Sequence, residues 1–157
     1  MVGEGRLIVV LHNVHSMQRV IEFAKICYGL GYYTLVISRP IGTAAQVGVP
    51  EAQKVAFKMK GRLIVLPDLK DAIELLKPEK IILFAPKPYG KRRFNAEEIA
   101  DQILKGVRVM VVFGGLEPGL SGRELSMGES VYLDVGEIGA VGLAAVTLYE
   151  IKLALKS

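Results

Sequence analysis

The sequence predicts an α/β fold in which a mostly parallel sheet carries helices on both faces. Five short runs rich in Val, Ile and Leu alternate with segments whose apolar residues recur at helical spacing. Strands that are apolar throughout are typical of parallel sheets, because helices cover both of their faces. The 157 residues suit one domain with a sizeable core, so we expect a single domain over 1–157.

The first half of the chain alternates three predicted strands with three predicted helices. Val20, Ala24 and Cys27 recur at helical spacing, and glycines close that segment. Asp68 can cap a later helix, which Pro78 stops. The predicted strands are 6–12, 32–38 and 62–66, the helices are 16–30, 50–59 and 69–76, and 40–49 is a loop.

The second half continues the alternation and ends in glycine loops and a long helix. Asn95 can cap a helix that has Glu97 and Glu98 in its first turn. Two glycine-rich loops follow the last predicted strand. The predicted strands are 80–84 and 108–113, and the loop 86–93 follows the first of them. The helix that Asn95 caps ends at 104, and the last helix spans 137–155.

Parallel sheets bind their ligands in loops at the carboxyl ends of the strands. The loops that begin at His12, Ser38, Leu66, Ala85 and Gly114 are therefore the places where we expect a site.

Composition indicates a mildly basic globular protein. The net charge is +4, 51% of residues are hydrophobic and 23% are charged, which permits nucleic-acid binding without requiring it. Cys27 is the single cysteine, which excludes an internal disulfide and a cysteine-rich zinc site and favours a reducing compartment. No targeting segment is evident, so we expect a cytoplasmic protein. We expect no metal, because the two histidines have no neighbouring set of acidic ligands.

The chain from Met110 to Leu155 carries the strongest functional signal. Two glycine loops flank a Leu-Asp-Val segment, an arrangement that suits a small-molecule pocket built from backbone. A mobile surface turn is the alternative for the first loop. The final helix is apolar on nearly all sides, which indicates a partner subunit or, alternatively, a central core helix of a monomer.

Three segments resemble the SPOUT superfamily of S-adenosylmethionine-dependent RNA methyltransferases. The first has Asn13 and Arg19 six residues apart after the first strand. The second is 111–121, with a Gly-x-Glu loop and a following Gly-Leu. The third is 126–136, in which Asp134 stands where the family usually has Asn, followed by a Leu-Tyr-Glu helix. The most similar branch is the SpoU/TrmH-like one, which methylates ribose 2′-hydroxyls.

The resemblance implies a C-terminal trefoil knot, a homodimer through the last helix, and S-adenosylmethionine as cofactor. It implies catalytic roles for Arg19, Asn13 and Glu117. A guanidinium is a poor base but a good phosphate fork, so we expect Arg19 to position a phosphate. The implied cofactor contacts are Ala85, Pro86, Gly114, Gly115, Gly119, Met127, Val131, Leu133 and Val135.

A dense basic segment lies beside the expected pocket. We predict RNA contacts from this segment, because its charges and aromatic ring suit phosphates and a stacked base; a solvated loop is the alternative. Its candidate residues are Lys87, Tyr89, Lys91, Arg92 and Arg93. A second basic group is interpreted as a solvated helix face, and it comprises Lys54, Lys58, Lys60 and Arg62.

Two histidines, His12 and His15, flank Asn13 at the end of the first strand. They could act as acid or base, but a satisfied polar group is the favoured interpretation. A restriction-type nuclease would need an acidic residue and Glu-x-Lys on strands. Glu150-Ile151-Lys152 lies in a helical pattern, so we interpret that match as chance.

The sequence thus predicts an S-adenosylmethionine-dependent RNA methyltransferase that methylates ribose 2′-hydroxyls of tRNA or rRNA. The alternatives are a base-methylating SPOUT enzyme or a non-catalytic RNA- or nucleotide-binding module of the same fold.

Overall fold

The computed structural model describes residues 6–156, which form a seven-stranded sheet. The strands are β1 (Leu7–Val14), β2 (Thr34–Pro40), β3 (Arg62–Leu66), β4 (Lys80–Phe84), β5 (Arg92–Arg93), β6 (Val109–Gly114) and β7 (Glu129–Tyr132). Their order is β3-β2-β1-β6-β4-β7-β5, and the recorded pairings are parallel. The predicted mostly parallel sheet is confirmed.

The helices lie on both faces of the sheet, also as predicted. They are α1 (Met17–Gly29), α2 (Val49–Met59), α3 (Leu69–Leu76), α4 (Ala96–Leu104), α5 (Gly122–Leu125) and α6 (Gly139–Lys156). The side chains of Ser16, Asp68 and Asn95 accept hydrogen bonds from the first turns of α1, α3 and α4. These caps satisfy amide groups that a helix start otherwise leaves unpaired.

Alternation along β1 divides the core into two layers. Leu7, Val9 and Leu11 pack with α1, α2, α4 and α6, whereas Ile8 and Val10 pack with α3 and α5. Successive residues of a strand point to opposite faces, so a strand covered on both faces is apolar throughout. The continuous apolar runs of the sequence are explained by this arrangement.

Three predicted loops contain regular structure that periodicity did not indicate. A short π-helical turn, Ala44–Gly48, occupies part of the predicted loop 40–49. The loop 86–93 ends in β5, and the glycine-rich third contains α5 and β7. Only Val131 of β7 is fully buried, so the strand lacks the apolar run that identifies its neighbours.

The last helix packs one side against the chain and leaves the other exposed. Ala144, Leu148 and Ile151 are buried, and the Tyr32 hydroxyl donates to the Leu148 carbonyl oxygen at 2.6 Å. Val146 and Tyr149 are 40% and 50% exposed. Within residues 6–156, no helix combines the length and apolarity that crossing a bilayer would require.

The carboxyl edge of the sheet, where the strands end, carries unusual backbone. His12 pairs in register with Ser38 on β2 and with Gly114 on β6. The residues that follow the first pair, Asn13 and Arg39, have φ angles of 61° and 52°. Non-glycine residues seldom adopt this left-handed region, and such strain is concentrated at functional sites.

Candidate functional site at the carboxyl edge of the sheet

A buried histidine joins three elements at the carboxyl edge. His12 is fully buried at the end of β1. Its Nδ1 atom lies 2.8 Å from Ser38 Oγ, and its Nε2 atom lies 2.6 Å from Glu124 Oε2 on α5. The histidine therefore connects two strands to the helix that follows the first glycine loop.

The directions of the pKa shifts indicate which atoms of this contact carry protons. Burial lowers the pKa of His12, although the nearby Glu124 opposes that effect. Burial alone would raise the pKa of Glu124, but the Ser121 N–H and His12 outweigh it and lower the pKa. An ionised carboxylate only accepts, so neutral His12 donates from Nε2 and accepts the Ser38 hydroxyl proton at Nδ1.

Arg39 and Asp68 extend the contact to solvent. Arg39 Nη2 lies 2.8 Å from Asp68 Oδ1, and Arg39 Nη1 lies 3.7 Å from Glu124 Oε2. Asp68 Oδ1 is 4.0 Å from His12 Nε2. We call His12, Ser38, Arg39, Asp68 and Glu124 the His12 cluster.

Asp68 is held ionised within this cluster. Burial would raise its pKa, but the Leu69 N–H and the Arg39 guanidinium outweigh burial and lower it. The cluster thus places one guanidinium between two carboxylates, beside a neutral imidazole. Among residues 6–156, no group of three or more His, Cys, Asp or Glu is arranged to hold a metal ion.

A cavity of about 230 Å³ opens at the same edge. Its walls come from the start of α1, the loop after β4, the first glycine loop, and the segment from β7 to α6. The first glycine loop contributes Gly114 and Leu116–Gly119 to the cavity, and α5, which follows this loop, contributes Glu124 to the His12 cluster. The loop therefore connects the two features.

Arg19 attaches the first glycine loop to α1. Its Nη1 donates to the Gly115 carbonyl oxygen at 2.5 Å. A Cβ atom on Gly115 would lie 2.8 Å from Val14 Cβ and 2.9 Å from the Asn13 carbonyl oxygen. Glycine is thus required for the close approach of this loop to the end of β1.

Cations and carboxylates share the walls of the cavity. Arg19 and Lys87 line it together with Glu117, Asp134 and Glu137. The cations can neutralise a phosphate, and the carboxylates can accept protons from water or a ribose hydroxyl. The cavity has the groups to bind and polarise a nucleotide-like ligand.

Eight of the residues predicted as catalytic or cofactor-binding line the cavity, as does Lys87, which was predicted to contact RNA. They come from four separate segments of the chain, which parallel pairing brings to one edge. They are Arg19, Ala85, Pro86, Gly114, Glu117, Gly119, Leu133 and Val135.

Four predicted site residues lie elsewhere. Met127 packs on the opposite face of the sheet, and Val131 is a buried core residue of β7. Gly115 contributes its carbonyl to Arg19 rather than a wall of the cavity. Asn13 is also absent from the cavity walls and instead has a strained, left-handed backbone near the end of β1.

Sequence reasoning missed other parts of the site. The segment that leads into α6 lines the cavity with Ile138, Gly139 and Ala140, none of which was predicted as a site residue. Glu124 was also missed. Its signal was present, because Ser121 and Glu124 form a capping box, a pattern that the spacing Ser-x-x-Glu reveals.

The basic loop, residues 86–93, is partly neutralised by acidic neighbours. The Arg92 guanidinium pairs with Glu98 and lies 2.7 Å from Glu129. Arg93 lies 3.9 Å from Asp134. Lys87 Nζ lies 4.5 Å from the centre of the Tyr132 ring, and Tyr89 is 65% exposed. Within residues 6–156, Lys87 and Lys91 form no ion pair with a carboxylate.

Comparison with known proteins identifies the family. A model described as RecB-family nuclease (DUF2122) matches residues 42–150, which is more than half of the chain. The chain belongs to this family. The DUF2122 match includes the basic loop, most of the cavity wall and two members of the His12 cluster, Asp68 and Glu124.

Two archaeal relatives agree with the DUF2122 assignment. A protein of Aeropyrum pernix named as a candidate type II restriction enzyme is 41% identical over 149 residues, covering 91% of this chain and 90% of its own. A second candidate type II restriction enzyme, from Methanocaldococcus jannaschii, is 35% identical over 145 residues, covering 92% and 95%.

Solved structures show the fold. The SpoU methyltransferase AviRb of Streptomyces viridochromogenes, in complex with the cofactor AdoMet, has a TM-score of 0.71 at 13% identity, covering 96% of this chain and 60% of its own. The TrmH/SpoU tRNA modifying enzyme of A. aeolicus has a TM-score of 0.68 at 17% identity, covering 98% and 77%. The SPOUT-type α/β fold predicted from the sequence is confirmed.

The prediction of an RNA methyltransferase is wrong. The DUF2122 match and both archaeal relatives point to a nuclease, which the sequence interpretation had set aside. The segments behind the resemblance specify how strands and glycine loops are arranged, and one fold can carry different activities. The Glu-x-Lys tripeptide does lie on α6, so it is not the strand motif of restriction enzymes.

Proposed function

We propose that this protein is an enzyme that cleaves nucleic acid at the carboxyl edge of its sheet. The family membership supports the reaction class. The observation that carries the proposal is that Arg19 and Lys87 share one cavity with Glu117, Asp134 and Glu137, next to the basic loop. Phosphodiester hydrolysis needs this combination of cations for the phosphate and a base for water.

Glu117 is the proposed base. Glu137 already accepts the Gly139 N–H at 2.8 Å, and Asp134 lies beside Arg93. The Glu117 side chain makes no hydrogen bond or ion pair within residues 6–156, so its lone pairs are available to a water molecule. Arg19 would hold the phosphate, and Lys87 would neutralise the charge that develops during attack.

Strand scission tests this activity. End-labelled single- and double-stranded RNA and DNA would be incubated with the protein, in magnesium and in EDTA, and resolved on gels. We expect cleavage by the wild type, loss with Glu117→Gln, and retention with Glu74→Gln, an exposed carboxylate on α3. Intact nucleic acid under every condition would overturn the proposal.

The second proposal is that the cavity binds S-adenosylmethionine. AviRb, which has the same fold, binds AdoMet, and in this chain eight of the predicted contact and catalytic residues line one cavity. Phe84, Leu133 and Leu143 offer apolar walls, and the glycine loop offers backbone groups. At about 230 Å³ the cavity is smaller than typical small-ligand pockets of ~300–1,000 Å³, so we expect 116–119 to move outward on binding.

Calorimetry with S-adenosylmethionine tests the second proposal. We expect saturable binding to the wild type and weaker binding to Leu133→Glu, which places a charge in the apolar wall. Leu104→Glu, at a 65% exposed position on α4, is the matched control. No heat of binding at millimolar ligand would contradict the proposal and leave the cleavage assay unaffected.

The third proposal is a cytoplasmic homodimer that pairs through α6. The exposed side of α6 presents Val146 and Tyr149, which form an apolar surface with Ile26 and Leu30 of α1. Light scattering should give twice the chain mass for the wild type. Tyr149→Glu should give the monomer, whereas Leu75→Glu, at a 58% exposed position on α3, should not.

A further inference from the structure

The outward face of α2 combines an exposed aromatic ring with positive charges. Phe57 is 89% exposed, more than any other large hydrophobic residue within residues 6–156. Lys54, one helical turn before Phe57, and Lys58, which follows it, are also exposed, whereas Ala52 and Ala56 form the buried side of the helix. We call Lys54, Phe57, Lys58 and Lys60 the α2 face.

The charge of the α2 face is predominantly positive. Glu51 is the acidic residue of α2, and its carboxylate lies 3.2 Å from Lys54 Nζ. No acidic residue occurs between Glu51 and Asp68, whereas Lys58, Lys60 and Arg62 all lie in that interval. Arg62 is held over the Tyr33 ring at 5.5 Å from its centre, which extends the cationic surface onto β3.

The helix that carries the α2 face begins near the site. Helix α2 packs on α1, whose Arg19 lines the cavity. At the junction of the two helix starts, a Cβ atom on Gly48 would lie 3.1 Å from the Met17 Cα atom. An eleven-residue helix is about 16 Å long, and the α2 face occupies its second half and its C-cap, so this face lies toward the amino edge of the sheet, where β3 begins.

We propose that the α2 face binds single-stranded nucleic acid, with Phe57 stacking on a base and the lysines contacting phosphates. The proposal rests on the proposed function, in which the substrate is nucleic acid. Aromatic rings bind unpaired bases through their faces, and cations bind the backbone of the same strand. A duplex hides its base faces, so the α2 face distinguishes single strands from duplexes.

Charge selects this occupant over a second copy of the chain. Two α2 faces in contact would bring Lys54, Lys58 and Lys60 against the same residues of the partner, and like charges at such distances repel. A polyanion instead neutralises these charges and releases its counterions. The α2 face thus supplements the basic loop as a second cationic surface.

A tryptophan reporter tests the proposal directly, because the chain contains no Trp. The Phe57→Trp variant would carry the only indole of the protein. Oligo(U) and oligo(dT) should quench its fluorescence at saturation, whereas a duplex of equal length should leave it nearly unchanged. Phe57→Ala should weaken single-strand binding about tenfold, and Leu104→Ala, at an exposed position on α4, should not.

Charge variants separate the lysines from the ring. Lys54→Gln combined with Lys58→Gln should reduce the slope of log affinity against log salt by about 1.4 for a single strand. An unchanged slope would contradict the phosphate contacts.

The reporter distinguishes this inference from the proposed function. Anisotropy that shows binding while the fluorescence of the Phe57→Trp variant stays constant would overturn the inference and leave cleavage standing. Quenching without any strand scission would overturn cleavage and support the α2 face. An emission shift that depends on protein concentration without nucleic acid would show that a second copy covers the face, and would also overturn the inference.

Discussion

His12 Nε2 and Glu124 Oε2 lie 2.6 Å apart although 112 positions separate the two residues. The contact ties α5 to the end of β1, and α5 closes the loop that forms one wall of the cavity. Glu124 also accepts a hydrogen bond from the Ser121 N–H at 2.8 Å through its other carboxylate oxygen. Glu124 therefore both caps the start of its helix and attaches that helix to the sheet.

Glu124→Ala should destabilise the fold. It leaves a buried imidazole N–H without an acceptor, at a cost of ~1–3 kcal/mol, and removes half of a capping box worth ~1 kcal/mol. We expect a loss of about 2–4 kcal/mol in the free energy of unfolding, measured by urea denaturation. Glu74→Ala on α3 should change it by less than ~0.5 kcal/mol, and an equal loss in both variants would contradict this role.

Stability should fall on mild acidification because of His12. Its pKa is lowered in the folded state, so the unfolded chain binds the proton more readily. The contribution of neutral His12 to the free energy of unfolding is complete above about pH 6.5. It is lost as the pH falls toward the lowered pKa of His12. Glu124, whose pKa is also lowered, adds a further loss below about pH 4.5.

Urea midpoints across pH would measure this effect. His12→Gln should remove the first decline, while His15→Gln should keep it because the buried histidine remains. The same decline in His12→Gln as in the wild type would assign the proton to another group.

Gly90→Ala should disrupt the basic loop. A Cβ atom there would lie 2.5 Å from the Ala85 carbonyl oxygen and 2.7 Å from that of Val131, both of which are backbone atoms. We expect ~1–3 kcal/mol of destabilisation together with weaker nucleic-acid binding. Gly136→Ala is the control, because no atom lies within 4 Å of its Cβ position; melting temperatures would separate the two variants.

The lysines and arginines of the basic loop should behave differently. Lys87→Gln combined with Lys91→Gln should reduce the salt slope of nucleic-acid binding by about 1.4–1.8. Arg92→Gln should instead lower stability, since its guanidinium pairs with Glu98 and Glu129. Anisotropy at several salt concentrations and urea denaturation would measure these effects; a larger slope change for Arg92→Gln would reverse the assignment.

Arg19→Ala should weaken S-adenosylmethionine binding by about tenfold or more, because it frees the Gly115 carbonyl and loosens the loop. Arg19→Lys should not restore the affinity, since an ammonium lacks the planar fork of a guanidinium. Lys25→Ala, on the same helix, is the control. Calorimetry that gave equal affinities for all variants would remove Arg19 from the site.

Local signals predicted most of the fold. Val9, Val111 and their neighbours lie in apolar runs long enough to identify buried strands, and Asp68 and Asn95 mark helix starts. The short strands β5 and β7 exist through pairing with each other and with β4, so they have no periodicity of their own. Long-range pairing of this kind leaves no trace in a local window.

The sequence predicted the sheet edge at which the site lies, but only some of the residues that form the site. Parallel strands that end together placed His12, Ser38 and Gly114 at one edge, as expected. Glu124 reaches His12 through tertiary packing, which spacing does not reveal. Met127 and Val131 were misplaced because the direction of a side chain depends on the strand register of β7.

The glycine loop that runs from Gly114 to the start of α5 has a thermodynamic consequence. It connects the cavity to a buried proton-binding group, so a ligand that selects this loop conformation also selects neutral His12. Coupling between two sites is reciprocal. The factor by which acidification weakens ligand binding is therefore the factor by which the ligand suppresses protonation of His12. Proton release during a ligand titration at mildly acidic pH would report the fraction of the protein that has ligand bound.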